Sequence, residues 1–181
     1  SEMCIRDRVS VGANDSNFEL AYISNWYTVA GTAPVISSTI FKSGAYSLRC
    51  AASSSVVLDV PVVAGKQVCV SIWQRVDVSG TGSMYVYDGG WFNGATISAS
   101  VSLTNTTTFV RQYVTLTPQT NKISILIAAG TDVRYIDDVQ VEFGATPTTN
   151  VVTGPEIYSL FNGFVERYPQ TFQAPNRGQS N

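Results

Sequence analysis

Short runs in which apolar and polar residues alternate, separated by turn residues, fill the chain from about residue 35 onward. In SMYVYDG, Met84 and Val86 fall on one side of an extended backbone and Tyr85 and Tyr87 on the other. The run FVRQYVTLT alternates in the same way. A period of two predicts strands with one face on a core, so Tyr85 and Tyr87 should line a surface or a cleft outside the primary core.

Nine short runs, several of which alternate in this way, are candidate strands bounded by turns rich in Gly, Asn and Pro. In chain order they are APVISSTIF, AYSLRCAA, SVVLDVPV, QVCVSIWQRVD, SMYVYDG, TISASVSL, FVRQYVTLT, KISILIAAG and VRYIDDVQVEF. Short strands in this number, without helices between them, predict an all-β fold, an antiparallel β-sandwich, of which the jelly roll is one of the main forms. We place this sandwich at residues 9–143.

The composition changes after the last of these strands. Residues 144–154 are rich in Thr and Gly and are typical of a linker, and residues 155–168 carry an apolar stripe at helical spacing. Thr153 and Glu156 form a capping box, and a proline follows the stripe. An Asn-Gly pair in this segment is also typical of a hairpin, but start, stripe and stop together favour a short amphipathic helix that covers the sandwich or a neighbouring subunit. Residues 169–181 form a tail that we expect to be disordered.

The first eight residues, SEMCIRDR, differ in character from everything that follows. They can be encoded by a string that resembles the end of a transposon-based sequencing-library adaptor. We therefore expect residues 1–8 to be an artefact without function, and we exclude them from the fold. The natural protein is then expected to extend upstream.

Charge and hydropathy argue against two classes of partner. The chain has 11 basic and 13 acidic residues, a net charge of −2, and residues 1–8 contribute two of each sign. No basic surplus exists to neutralise a phosphate backbone, so nucleic acid is not an expected partner. No apolar run approaches the roughly 20 residues of a membrane span, so a membrane is not expected either.

The chain contains no histidine, which removes the commonest general base, the usual Ser or Cys triads and most transition-metal sites. The acidic residues are scattered, and the adjacent pair Asp137-Asp138 lies in a strand-like run, which argues against a glycosidase pair. The sequence therefore predicts a protein that is not an enzyme. Outside residues 1–8, Cys50 and Cys69 lie in apolar runs, which favours small buried residues over a disulfide.

Four motifs follow one another between about residues 14 and 143: NDSNFELAYISNW, FKSGAYSLRC, VPVVAGKQVCVSIWQR and RYIDDVQVEFG. In this order they resemble the N-x-x-F-E…W opening, the S-G-x-x-S-L strand, the P-G-K-x-Y-x-x-S-F-W-x-R segment and the closing Y-I-D-D-V strand of jelly-roll carbohydrate-binding modules, of the kind in families four, nine and twenty-two. Val68 replaces the usual aromatic residue of the third motif. The resemblance implies a polysaccharide or cell-surface glycan as partner.

The end of the sandwich carries a second resemblance. The strand 138–144, the Ala145-Thr146-Pro147 linker and a helix that closes on Glu166-Arg167-Tyr168 are similar to the last strand, A-T-P linker and short helix of many bacteriophage tail and receptor-binding proteins. This resemblance implies a place on the virion surface or otherwise outside the cell. It also implies other virion subunits as partners, with a homotrimer as one form of assembly.

Carbohydrate-binding modules of this kind often hold a structural calcium ion. The resemblance carries its ligands onto Glu19 and Asp137, with backbone carbonyls near Lys42 or Ser43. Hard oxygen ligands from distant segments suit calcium and would pin the N-terminal arm to the last strand. The alternative is that both carboxylates accept backbone hydrogen bonds at strand ends.

Aromatic side chains are the candidates for glycan contact, because sugar rings present apolar C–H faces that stack on exposed aromatic rings. The candidate ligand-binding residues are Tyr85, Tyr87, Trp91 and Tyr113, with Arg75 and Asn93 as partners of sugar hydroxyls. Trp91 belongs to the glycine-rich run DGGWFNG. Many such rings serve packing instead, and packing is the role that we favour for Trp73.

These observations favour a non-catalytic, carbohydrate-binding-like jelly roll of a phage tail or virion surface protein that recognises bacterial surface glycans. One alternative is a purely structural virion decoration or oligomerisation module, in which the aromatic residues pack against neighbours. Another is a sugar-binding module appended to a secreted glycoside hydrolase.

Overall fold

Ten β-strands make up the part of the chain that the computed structural model describes, namely Phe18, Ala21, Ile23 and residues 25–92 and 94–148. The strands are β1 (Tyr27–Ala30), β2 (Val35–Ser37), β3 (Ser47–Cys50), β4 (Ser55–Pro61), β5 (Val68–Val76), β6 (Gly82–Asp88), β7 (Ile97–Leu103), β8 (Val110–Leu116), β9 (Lys122–Ala128) and β10 (Arg134–Phe143).

The strands form two five-stranded sheets that pack against each other as a sandwich. The first sheet has the order β1-β4-β9-β6-β7 and the second the order β2-β3-β10-β5-β8. Each pair of neighbouring strands is antiparallel. The prediction of an all-β antiparallel sandwich is confirmed, and each of the nine predicted strands forms.

Strand β1 is the one that the alternating pattern did not predict. It has only four residues and lies at the edge of the first sheet, where Tyr27 is paired with Val57 of β4. The strand exists because a distant segment offers it a ladder of backbone partners.

The main core lies between the two sheets and is filled by inward side chains from both. Its fully buried members include Leu48, Val56, Val70, Ile72, Met84, Val86, Ile123, Ile125, Ile127 and Ile136. Removing such apolar surface from water stabilises a fold by about 25 cal/mol per Å². Since side chains alternate along a strand, burying Met84 and Val86 turns Tyr85 and Tyr87 to the outside of the first sheet, as predicted.

A buried arginine joins the two sheets at one end of the core. The Arg134 side chain is fully buried, and its guanidinium donates to the Gln74 side-chain oxygen. It also donates to the carbonyl oxygens of Ala129 at 3.2 Å, Thr104 at 3.3 Å and Gly80 at 3.1 Å. Those carbonyls flank strands of the first sheet. The bonds therefore use the N–H donors of the buried guanidinium and link β10 of the second sheet to the first sheet.

Both cysteines of the sandwich, Cys50 and Cys69, are buried and free. Burial raises the pKa of the Cys50 thiol to about 12 and that of the Cys69 thiol to about 11. Both thiols therefore stay protonated at neutral pH, and the prediction of small buried residues is confirmed.

Three predicted segments lie outside the described residues: residues 1–8, the helix at 155–168 and the tail at 169–181. The first part of the predicted linker is described. It turns back at Gly144 and brings Thr148 onto the outer side of the second sheet, where the Thr148 amide donates to the Glu142 carboxylate at 2.9 Å.

Candidate functional site

The outer side of the first sheet carries two adjacent rows of side chains, set by the register of its strands. One row crosses Tyr27, Val57, Leu126 and Tyr85, and the next crosses Asp59, Ser124 and Tyr87. Neighbouring strands are about 4.8 Å apart, so each row places its side chains in reach of a single oligomeric ligand. We call this surface the aromatic face.

A second hydrophobic cluster forms the floor of the aromatic face. Its buried members are Val57, Tyr87 and Leu126, and the partly buried Val29, Tyr85, Trp91, Ala95 and Ala128 pack against them. Tyr87 is only 7% exposed, whereas Tyr27 at the sheet edge is 38% exposed. Tyr87 therefore supports the face from below, and Tyr27, Tyr85 and Trp91 present ring surface to solvent.

The loop between β6 and β7 folds over the aromatic face and positions Trp91. The Trp91 amide donates to the hydroxyl oxygen of Ser124 at 2.7 Å, which holds the indole against the second hydrophobic cluster. The next residue, Phe92, is 64% exposed. Asn93, predicted as a partner of sugar hydroxyls, follows in the same loop but lies outside the described residues.

The base of this loop is fixed by hydrogen bonds and by glycine. The Asp88 carboxylate accepts the amides of Gln119 at 2.6 Å and Thr120 at 3.1 Å. Gly90 has a φ of 105°, which a side chain would strain, and a Cβ there would lie 2.6 Å from Cε of Lys122. The glycine thus lets the backbone run close beside the Lys122 side chain.

A charged pair, Asp59 and Lys122, lies on the same face beside Tyr27. The Asp59 carboxylate accepts a hydrogen bond from the Ser124 hydroxyl and a longer one, at 3.4 Å, from the Tyr27 hydroxyl. It also forms an ion pair with Lys122 Nζ at 3.3 Å. Burial, followed by the Asp59 charge, raises the pKa of the Tyr27 phenol, so that it stays protonated. Lys122 and Asp59 remain 49% and 39% exposed in their side chains.

The outer side of the second sheet has a different character, and we call it the polar face. It presents Trp73, Arg75, Arg111, Tyr113, Gln140 and Glu142. Two predicted ligand-binding residues are therefore on this face: Tyr113, which is 46% exposed, and Arg75, whose guanidinium stacks 5.8 Å from the Tyr135 ring centre. The sandwich separates both of them from Tyr85, Tyr87 and Trp91, so the six predicted residues do not form one site.

An ion pair anchors the chain where it crosses the polar face. The Arg111 guanidinium donates to Ser71 Oγ at 2.9 Å and to Gln140 Oε1, and it lies 4.0 Å from the Glu142 carboxylate. Thr148 closes the network, because its carbonyl accepts from Arg111 and its amide and hydroxyl donate to Glu142. The described chain thus ends on the side opposite the aromatic face.

The predicted metal-binding residues come together in part. The Asp137 carboxylate is buried and accepts the backbone amides of Lys42 at 2.7 Å and Ser43 at 3.2 Å, while Ser43 Oγ donates to Asp138 at 2.8 Å. Burial, then the Asp138 charge, raises the pKa of Asp137 to about 7. A cation would relieve this buried charge, yet the groups from 42–43 that face it are amides rather than carbonyls.

Asp137 therefore accepts backbone hydrogen bonds, as the alternative to a calcium site predicted. Glu19 lies outside the described residues. Among the residues that the structure describes, no group of three or more His, Cys, Asp or Glu side chains is arranged to hold a metal ion. The calcium site stays a prediction.

Trp73 packs on the polar face beneath a cation. Lys42 Nζ lies 4.5 Å from the centre of its ring, an arrangement in which the positive charge is attracted to the π-face. The indole N–H is buried and has no hydrogen-bond partner within the described part of the chain.

No helix within the described ranges is both long and apolar enough to cross a membrane.

No protein-family model and no curated protein matches the sequence. Solved structures share its fold. A family 61 carbohydrate-binding module, TmCBM61, in complex with β-1,4-galactotriose has a TM-score of 0.58 at 18% identity, with 76% of this chain and 99% of that chain covered. The CBM22-2 xylan-binding domain of Xyn10C from Paenibacillus barcinonensis has a TM-score of 0.57 at 18% identity, with 71% and 98% covered.

A viral protein contains a similar domain. The enzymatically active domain of tailspike protein 4 of bacteriophage CBA120 has a TM-score of 0.57 at 14% identity, and the match covers 75% of this chain and 21% of that one. At such identities the likeness concerns the fold alone. The chain therefore has the β-sandwich fold of carbohydrate-binding modules, as the sequence motifs implied.

Sequence reasoning missed the centre of the aromatic face. Asp59 is the one charged residue in the apolar run SVVLDVPV, and this was a usable signal. Alternation places it on the same side of β4 as Val57, away from Leu58 and the core. Tyr27 gave no such signal, because the strand that presents it was not predicted.

Proposed function

We propose that this domain is a non-catalytic carbohydrate-binding module that takes up a glycan on its aromatic face. The observation that carries the proposal is that the partly exposed rings of Tyr27, Tyr85 and Trp91 share one face of the sheet with the polar pair of Asp59 and Lys122. Aromatic rings offer apolar contact to the C–H faces of sugars, and the charged pair offers an acceptor and donors for hydroxyl groups.

We further propose that the domain belongs to a phage tail or virion surface protein, outside the cell, where it recognises bacterial surface glycans. Two points support this context: the fold shared with a bacteriophage tailspike domain, and the resemblance of the sequence at residues 138–168 to the last strand, linker and short helix of phage tail proteins. Other virion subunits, in a homotrimer or a mixed assembly, are the expected protein partners. A module appended to a secreted glycoside hydrolase would make the same binding prediction.

Glycan binding is tested by screening the full chain on an array of bacterial surface and plant polysaccharides, followed by titration calorimetry on the best ligand. Tyr85→Ala and Trp91→Ala should each weaken binding about tenfold, since each removes a stacking ring. Tyr113→Ala is the matched control, because it removes an exposed tyrosine from the opposite face, and it should bind as wild type does. Tyr87→Ala is unsuitable, because that ring is buried.

A structural role is the second candidate, and one observation favours it. Part of the second hydrophobic cluster is already buried against the sheet. Beside it, Phe92 and Ile97 are 64% and 45% exposed, and exposed apolar side chains of this kind could pack against another subunit. A folded chain that binds no glycan on the array, but forms trimers by light scattering, would favour this role over glycan binding.

A further inference from the structure

The hydrogen-bonding capacity of Asp59 is only partly used. Its Oδ1 atom takes the Ser124 hydroxyl and the long contact from Tyr27. Within the described residues, Oδ2 is contacted by Lys122 Nζ alone, at 3.3 Å. An ionised carboxylate offers about four lone-pair sites and an ammonium three donors, so both groups retain capacity for a ligand.

The position of this pair is fixed by buried neighbours. Ser124 is fully buried, and its hydroxyl accepts from the Trp91 amide at 2.7 Å while it donates to Asp59. On the other side, the Gly90 backbone runs against the Lys122 side chain. The acceptor and the donor are thus held side by side before any ligand arrives, which lowers the entropic cost of binding.

We propose that Asp59 and Lys122 form the polar anchor of the aromatic face and that the anchor selects uncharged glycans. This inference rests on the proposed function. Adjacent hydroxyls of a sugar ring each donate and accept, so one hydroxyl donates to Asp59 Oδ2 while its neighbour accepts from Lys122 Nζ. Other units of the same sugar chain then contact the aromatic side chains of Tyr27, Tyr85 and Trp91, which the register spreads across the sheet.

Charge supplies the selectivity. Lys122 forms an ion pair with Asp59, so the two side chains together present no net positive charge to a ligand. A uronic acid placed here brings its carboxylate next to that of Asp59, and like charges a few ångströms apart repel in a partly desolvated site. Polysaccharides built of uncharged hexoses or pentoses avoid this repulsion.

The test compares wild type, Asp59→Asn and Lys122→Met on galactose- and glucose-based oligosaccharides and on their galacturonate and glucuronate counterparts, by titration calorimetry. Wild type should prefer the uncharged set. Asp59→Asn should weaken binding of the uncharged set about tenfold and should narrow the gap between the two sets, because the repulsive charge is gone. Lys122→Met should weaken the uncharged set as well, through the loss of the donor.

Two controls separate the anchor from a structural effect. Asp77→Asn removes a carboxylate just after β5 in the other sheet and should change neither affinity nor preference. Melting temperatures of all variants should match wild type within a few degrees. A purely structural role for Asp59 would weaken both ligand sets by the same factor.

The failures are distinguishable. If wild type binds glycans and Tyr85→Ala weakens that binding, but Asp59→Asn does not, the anchor is wrong and the proposed function stands. A wild type that prefers uronates also overturns the anchor alone. If wild type binds neither set and nothing on the wider array, the anchor and the proposed function both fall.

Discussion

Tyr87 and Tyr113 both point outward from an alternating strand, yet Tyr87 is 7% exposed and Tyr113 is 46% exposed. Tyr87 belongs to β6, an inner strand of the first sheet, and Tyr113 to β8, an edge strand of the second. The loop after β6 brings Trp91 back over the sheet beside Tyr87. Strand alternation thus decided which way each ring points, while position in the sheet and the nearby loop decided how much of it meets solvent.

The two outer faces differ in the same way. The aromatic face combines the second hydrophobic cluster with one partly exposed ion pair, Asp59 and Lys122. The polar face is crossed by two segments, the loop that carries Lys42 over Trp73 and the exit segment that ends at Thr148. A surface that combines rings with a charged pair suits a sugar chain, whereas part of the polar face is already covered by the protein's own segments.

The largest expected loss of stability comes from Tyr87→Ala, with Tyr113→Ala as its comparison. Tyr87→Ala should lower the free energy of unfolding by about 3 kcal/mol, because it empties a buried cluster. Tyr113→Ala should change it by less than about 0.5 kcal/mol, as expected for an exposed side chain. Urea denaturation of the two variants measures both values, and equal losses would contradict the difference between the faces.

The predicted calcium site is tested through its effect on stability. If Glu19 and Asp137 bind the ion as the sequence implies, calcium at a hundredfold excess over its dissociation constant adds about 2.7 kcal/mol of stability. A chelator should then lower the melting temperature of wild type and leave that of Glu19→Ala unchanged. A wild type that is indifferent to both chelator and added calcium contradicts the site and leaves the backbone hydrogen bonds of Asp137 as the sole role of that residue.

A smaller effect is expected from the network at the chain exit. Arg111→Met should lower the free energy of unfolding by about 2 kcal/mol. The change removes the cation paired with Glu142 and the hydrogen bonds that Arg111 donates to Ser71 and Gln140. Arg75→Met, on the same face, should cost about 1 kcal/mol or less, since Arg75 stacks on Tyr135 and reaches only two backbone carbonyls.

Both arginine variants should keep wild-type affinity for glycan, because both residues lie on the side opposite the proposed site. Loss of binding in Arg75→Met without loss of stability would move the site to the polar face. Urea denaturation and titration calorimetry on the same preparations give the two readings.

Most of the fold was predictable from local patterns. Nine strands were evident because they are short apolar runs bounded by turn residues, and several of them also alternate with a period of two. The short β1 was missed, since it depends on the ladder offered by β4 more than on its own residues. The buried Arg134 was also beyond sequence reasoning, because the carbonyls that satisfy it come from three separate turns.

The candidate site was predictable in kind but not in membership. Tyr85, Tyr87 and Trp91 do share one face, as neighbours along β6 and its loop. Arg75 and Tyr113 looked equivalent in the sequence and lie on the other sheet. Nothing in a single strand indicates which of the two sheets it will join.

By itself, the sequence determined the class of fold and the outward direction of Tyr85, Tyr87 and Tyr113. The tertiary structure decided that Asp59 of β4 and Lys122 of β9 meet beside Tyr27 of β1, since residues far apart in the chain become neighbours only through antiparallel pairing. Alternation is local and survives in the sequence, whereas the order of strands in a sheet is fixed by the packing of the whole chain around one core.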